Sequence, residues 1–239
     1  MKTAEKRLSL IDFGILGIIF FGYFTVVSVL MYLRTDEPQV VSASSFSDVS
    51  NIYSIIIELF LLIVAGLYLR WRRFDFSSLN FSVGRNTFPS VLLLILFAAL
   101  AMDVCVYGSY WLSYGQNPFS YLSVWEEANN EVNLFGHITI WLLLFSLLNG
   151  FFEEVFFMGL TFAVNDRHRI YAITMSVILR FGFHLYLGLS AAIGTAFLGI
   201  VFILMRRRKV TSLVPFMIAH AFFDVFGTGL ISWIYQIGF

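Results

Sequence analysis

Seven apolar runs, each near the length that crosses a bilayer, limit this chain to a few architectures. They cover about 11–33, 52–69, 89–112, 134–160, 170–187, 189–205 and 211–230. A helix needs about 20 apolar residues to cross a hydrocarbon core of roughly 30 Å. The chain is 59% hydrophobic and 13% charged, with 28 Phe, more apolar surface than a soluble domain of 239 residues can hide. Strict two-residue alternation is absent from the runs, which argues against a transmembrane barrel. The expected fold is an all-α, polytopic transmembrane bundle of seven to eight spans, treated as one integral membrane domain over residues 1–239. The tail from Ile231 to Phe239 is too short for another crossing. It can extend the seventh span, re-enter, or form a short eighth helix after Gly227-Thr228-Gly229. Met1–Arg7 has the basic flank of a signal peptide, but the apolar run that follows is long and lacks an A-x-A site, so it reads as a retained first span. The single Cys105 rules out an internal disulfide or a cysteine metal cluster and reads as a small buried residue.

Charge orients the bundle. Of the fifteen basic residues, all but Arg34 and Arg180 fall on one side if the spans alternate. They are Lys2, Lys6 and Arg7, then Arg70, Arg72, Arg73 and Arg85, then Arg167 and Arg169, and last Arg206, Arg207, Arg208 and Lys209. The positive-inside rule makes that side the cytoplasm and places the N-terminus there, in a cytoplasmic (inner) membrane. The loops at 34–51 and 113–133 carry Asp36, Glu37, Asp48, Glu126, Glu127 and Glu131 and face outward. The aromatic and arginine-rich stretch Trp71–Ser90 reads as a snorkelling loop on the cytoplasmic interface.

Against this apolar background, a few polar residues stand out. Glu153 and Glu154 lie side by side in ITIWLLLFSLLNGFFEEVFFMG, a run that otherwise suits lipid. A charge at that depth costs a few kcal/mol or more, so it faces a protein interior or a water-filled cavity. His184, with Arg180 one turn before it, lies in a later span, and His220 with Asp224 in another. At about 1.5 Å per residue, the glutamates stand roughly 16–18 Å above the cytoplasmic edge, His220 about 15 Å, Asp224 about 21 Å and His184 about 22 Å. The shared level predicts a mid-membrane polar cavity. Adjacent helical residues point about 100° apart, so Glu153 and Glu154 cannot play the same role. His220 and Asp224, four apart, share a face. His137 and His168, near membrane edges, read as structural, and the Glu126–Glu127 pair sits in a polar loop where carboxylates are cheap. Glu58 and Asp103 read as satisfied by neighbouring hydroxyls or amides.

The chemistry on offer is limited. A carboxylate with an imidazole can deprotonate water, and hydrogen-bond donors can meet a developing oxyanion. No Ser or Cys sits in a nucleophile context, which disfavours a covalent intermediate. Two His and one Glu are also a zinc set, although the H-E-x-x-H helix that usually carries it is absent.

The residues Glu153-Glu154-Val155-Phe156-Phe157-Met158, Arg180-Phe181-Gly182-Phe183-His184 and His220-Ala221-Phe222-Phe223-Asp224 resemble the three intramembrane motifs of the CPBP family, E-E-x-x-x-R, F-x-x-x-H and H-x-x-x-N/D. That family comprises CAAX proteases and bacteriocin-processing enzymes, also called Abi proteins, and is similar to the Ras-converting CAAX endopeptidase. Gly159 after the first motif and Leu213-Val214-Pro215 before the third agree with it. The resemblance covers about residues 135–230. It implies Glu153 as general base assisted by His184, His220 and Asp224 as the oxyanion pocket, and Glu154 as a structural or electrostatic partner, with no obligatory metal or other cofactor. Met158 stands where the family has arginine, and Arg180 where it has phenylalanine. The expectation is a swap in which Arg180 pairs with Glu154 or Glu153.

Three functions fit these residues. The first is an intramembrane endopeptidase (a hydrolase) acting on peptides or membrane-associated proteins. The second is a catalytically weakened immunity, regulatory or scaffold protein on the same fold. The third is a proton-coupled transporter, which the lack of an evident internal repeat disfavours. The partners implied are the bilayer and a peptide or membrane-protein substrate, with no nucleic acid.

Overall fold

A computed structural model describes residues 7–34, 47–115 and 138–237. Lys2, Lys6, His137, the 126–127 glutamate pair, Glu131 and the outward loop acids Asp36 and Glu37 lie outside the described residues. The helices are α1 (Leu10–Arg34), α2 (Asp48–Trp71), α3 (Thr87–Tyr114), α4 (Ile140–Ala163), α5 (Arg169–Phe183), α6 (Leu189–Arg208), α7 (Val214–Phe226) and α8 (Leu230–Ile237). No strand occurs among the described residues; a single backbone bridge joins Leu8 to Val164. The first four helices and α6 are long and apolar enough to cross a membrane. Large side chains such as Ile18, Phe60, Leu67 and Ile178 point out of the bundle, as expected of a lipid-facing surface. The chain is an all-α, multi-pass membrane helix bundle.

Local signals explain where the helices begin and end. Ser9 and Asp12 form a capping box at the start of α1, each side chain bonding the other residue's backbone N–H. The Ser47 and Thr139 hydroxyls accept from the N–H groups of Ser50 and Leu142, capping α2 and α4. Gly115, at φ 61°, ends α3 in the left-handed conformation. Pro215 sits in the first turn of α7, where its missing N–H costs nothing.

Helix α4 is the axis. It packs along α2 and α7 and, through its inner half, against α1 and α6. Six consecutive residues, Val155–Leu160, are buried, so this stretch is enclosed on all sides. The same six residues are wound as a π-helix directly after Glu154, and the Thr161 hydroxyl bonds the Phe156 carbonyl at 3.2 Å. Such π segments are frequent at functional sites. Phe13, Phe20 and Phe21 pack on Phe156 and Phe157, and Phe152 on Phe20, with ring centroids about 5 Å apart, within the range of favourable aromatic pairs. Gly150 permits a close approach of α4 to α7: a Cβ there would stand 2.6 Å from the Met217 carbonyl oxygen.

Spans five and seven differ from expectation. The segment expected as 170–187 is α5 of 15 residues followed by a 3-10 turn at Leu185–Leu187. The segment expected as 211–230 is α7 of 13 residues, broken at Gly227 and followed by α8. At about 20–22 Å, both helices are shorter than a roughly 30 Å core. Hydropathy reads through such breaks, whereas local geometry makes them: His184 folds back to cap its own helix, and Gly188 (φ 88°) and Gly227 (φ 77°) take left-handed backbone. Irregular backbone at membrane depth is tolerated where protein buries it. The Ser28 hydroxyl on α1 accepts from the Tyr186 N–H at 2.8 Å and anchors the turn. The tail takes the third of its three outcomes, a short eighth helix after the glycine break, packed on α3.

The arginine-rich ends gather at one end of the bundle. Leu8 pairs with Ala163 and Asn165 through two 3.1 Å backbone bonds, and Arg7 reaches Asp166 at 2.6 Å. The buried Asp12 carboxylate accepts from Arg72 Nη2 at 3.1 Å and from the Tyr68 hydroxyl at 2.7 Å. That bond raises the Arg72 guanidinium further above its ordinary range. The 71–90 stretch is more than a snorkelling loop. Phe76–Leu79 forms a 3-10 turn under the π segment, and Asn80 and Ser82 bond Thr211, Ser212 and Leu213 at the entry to α7. At the opposite end, the Thr139 hydroxyl donates to Asp48 at 2.6 Å and sets α2 and α4 in register.

Candidate active site

The two adjacent glutamates occupy different surroundings. Glu154 is fully buried, and its Oε1 accepts from Arg180 Nη2 at 2.6 Å and from His220 Nδ1 at 2.7 Å. Glu153, 4% exposed, turns its Oε1 toward the other ring nitrogen, His220 Nε2, at 3.6 Å, and its Oε2 has no hydrogen-bond partner. Asp224 Oδ1 also stands 3.6 Å from His220 Nε2. Both 3.6 Å separations exceed hydrogen-bond reach. His220 thus faces an ion-paired carboxylate through Nδ1 and, through Nε2, two carboxylates to which it is not hydrogen-bonded. With Nδ1 donating to Glu154, the tautomer leaves Nε2 aimed between Glu153 and Asp224.

Helix packing places each group. Gly150 brings α4 against α7 one turn before Glu153 and Glu154, within reach of His220. Arg180 arrives from α5. Its guanidinium lies 4.2 Å from the Phe157 ring centroid and 6.0 Å from that of Phe202, a favourable place for a cation. Gly199 on α6 makes room for it, because a Cβ there would stand 3.0 Å from Arg180 Cδ. Arg180 is one of the largest fully buried side chains of the molecule. Met158, in the position that resembles the family's arginine, is buried among apolar residues.

His184 caps α5. Its Nδ1 donates to the Arg180 carbonyl at 2.8 Å and its ring lies against Phe183, which leaves Nε2 free of that bond. The ring is within electrostatic reach of His220. Glu153, Glu154, His220 and Asp224 thus come together directly, Arg180 joins them through Glu154, and His184 adjoins through α5.

Two further residues belong to this cluster. The Asn149 amide donates to Asp224 Oδ2 at 2.9 Å, one turn before Glu153 on α4. Glu58 on α2 is buried, its Oε2 has no partner, and it is within electrostatic reach of Glu153, Asp224 and His220. Registered by the Asp48–Thr139 bond, Glu58 and Asn149 lie at the same depth, about 15 Å along their helices. The expectation that neighbouring hydroxyls or amides satisfy Glu58 therefore fails for one oxygen. Asp103 differs: it accepts from the Ile231 N–H at 3.1 Å and holds the start of α8. Asn149 has a signal in sequence, an amide one turn ahead of the glutamate pair. Glu58 has none beyond being a carboxylate in a span. His168 starts α5 and takes no part in the cluster. Cys105 is a free thiol on α3.

One ligand atom from each of Glu153, Glu154 and His220 lies within 4.8 Å of the others, a spacing that can surround a metal ion. Oε2 of each glutamate is unbonded, but the fit is poor because the Arg180 guanidinium already lies against Glu154 and opposes a second cation there, and His220 Nδ1 is engaged with Glu154 Oε1. What the cluster offers without a metal is a carboxylate with an open oxygen beside an imidazole, and a second carboxylate neutralised by a fixed cation.

Residues 135–226 match the family model described as Type II CAAX prenyl endopeptidase Rce1-like. The match runs through α4, α5, α6 and α7 and includes every residue of the cluster except Glu58. No curated protein and no solved structure matches the chain.

Proposed function

The chain carries an Rce1-like domain of the CAAX protease family at residues 135–226, and from that premise we propose that it is an intramembrane endopeptidase whose nucleophile is a water activated by Glu153. The observation that carries this reading is the division of labour between the glutamates. Glu154 is held through Oε1 by Arg180 and His220, whereas the Glu153 carboxylate makes no hydrogen bond and turns Oε1 toward His220 Nε2; Oε2 is unbonded in both. Glu153 takes a proton from water as the water oxygen attacks the scissile carbonyl carbon. His184, through its free Nε2, orients that water. His220 and Asp224 line the space where the oxyanion develops, and Asn149 holds Asp224 in place. The proton held by Glu153 then passes to the amide nitrogen as the C–N bond breaks, releasing an amine and a carboxylate. The substrate class is a peptide or a membrane-associated protein. The test is vesicle reconstitution with membrane peptides: products with new termini support the reading. Proton-coupled uptake without products would identify a carrier instead.

Two further expectations accompany this mechanism. Chelators are expected to leave cleavage unchanged, because the Arg180 cation already neutralises the Glu154 carboxylate. Loss of cleavage in chelator, restored by stoichiometric zinc, would replace Glu153-activated water with metal-activated water. The basic end of the bundle is expected to face the cytoplasm of the inner membrane, with the N-terminus on that side. A cysteine introduced at exposed Arg207 should therefore resist an impermeant thiol reagent until the cell is opened. Labelling of intact cells would invert the topology.

A further inference from the structure

A cavity of about 420 Å³ lies at the arginine-rich end of the bundle, away from the glutamates. Its volume falls within the roughly 300–1,000 Å³ of small-molecule sites. The ends of α4 and α6 and the start of α5 form its walls. Arg169, Arg206 and Arg207 contribute three cations, and Asp166 is the acid opposite them. Asp166 is already shared: Arg7 and Arg169 both pair with it. The cavity therefore keeps an excess of positive charge.

The cations are held in place. Arg169 and Arg206 stand over the same ring, Phe162, at 6.0 and 5.8 Å from its centroid. Arg206 also donates to the Thr211 carbonyl. Arg169 is paired with Asp166 through Nη2, and its Nε makes no hydrogen bond. The remaining wall is apolar: Ile170 is exposed on the outer surface of α5, with Ile173 one turn further into the membrane. Arginines above an apolar wall, at the membrane end of a helix bundle, match a phosphate headgroup with an acyl chain below it.

We propose that this cavity binds the headgroup of an anionic phospholipid from the leaflet on the arginine side, with its phosphate on Arg169 and Arg207 and an acyl chain along Ile170 and Ile173. Because the start of α5 forms one wall, the lipid would brace the helix that carries Arg180 and His184.

The test uses the full chain in mild detergent, with thermal unfolding followed during titration by short-chain phosphatidylglycerol. Phosphatidylcholine of the same chain length and sodium phosphate serve as parallel arms. Phosphatidylglycerol alone should raise the midpoint. Arg207→Glu, at an exposed position, should increase the half-saturating concentration at least about fivefold, the worth of one basic residue at an anionic surface. Ile173→Trp, which fills the cavity from its apolar wall without changing charge, should remove the shift. An equal shift with phosphatidylcholine would overturn the proposal, as would a phosphatidylglycerol shift that both variants preserve. A shift of the same size with phosphate alone would overturn the lipid as the source and leave an inorganic anion site.

Discussion

Arg180→Phe is expected to destabilise the folded chain by about 3–5 kcal/mol, the usual consequence of removing one partner from a buried ion pair. The guanidinium is 2% exposed and Glu154 is 0% exposed, so no water replaces the lost bond. Only the His220 Nδ1–H would then remain on the Glu154 carboxylate, and it would be drawn further from Glu153 and Asp224. The site should therefore lose activity along with stability. Glu154→Gln should show a similar loss. In a double-mutant cycle, Arg180→Phe with Glu154→Gln should cost much less than the sum of the two, because each removes the same interaction. Met158→Arg should recover part of the Arg180→Phe loss by supplying the cation from α4. Thermal unfolding in detergent reads all four proteins. Additive losses in the cycle, or wild-type stability in Arg180→Phe, would show that this pair does not hold the site together.

Glu153→Gln is expected to reduce peptide cleavage by about 10²–10⁴-fold or more, the range for a positioned general base. The amide is nearly the same size, and the residue makes no hydrogen bond that the fold depends on. Its oxygen lies 3.6 Å from His220 and its other oxygen has no partner. Stability should therefore stay near wild type while the rate collapses. That combination separates a chemical role from a structural one: Glu154→Gln should lower both, Glu153→Gln the rate alone. Glu153→Gln with full cleavage would remove Glu153 from the mechanism.

The bundle was legible in the sequence because lipid imposes so strict a composition. Runs of apolar residues and a one-sided distribution of arginines are hard to produce otherwise. The meeting of Glu153 and Glu154 with His220 and Asp224 was legible for the same reason, since polar side chains at one depth have few other places to go. Three features were not. The break after Phe183 depends on His184 folding back onto the Arg180 carbonyl, and hydropathy averages over that turn. The π winding of Val155–Leu160 follows from packing on every side and has no composition of its own. Glu58 comes from α2, where no motif surrounds it, and its place beside the cluster depends on the register fixed by Asp48 and Thr139. Arg180 lies between these cases. Its need for a partner was plain in the sequence, whereas the space that Gly199 and the two phenylalanine rings give it is a property of three-dimensional packing.

The most direct test of the central claim, proteolysis by Glu153-activated water, is a comparison of protein termini in membranes from three strains. One carries the wild-type chain, one carries Glu153→Gln at matched abundance, and one lacks the chain. The account predicts a set of new termini in membrane-associated proteins that appears only in the wild-type strain, with the Glu153→Gln strain indistinguishable from the strain lacking the chain. The same termini produced by Glu153→Gln at wild-type levels would contradict it.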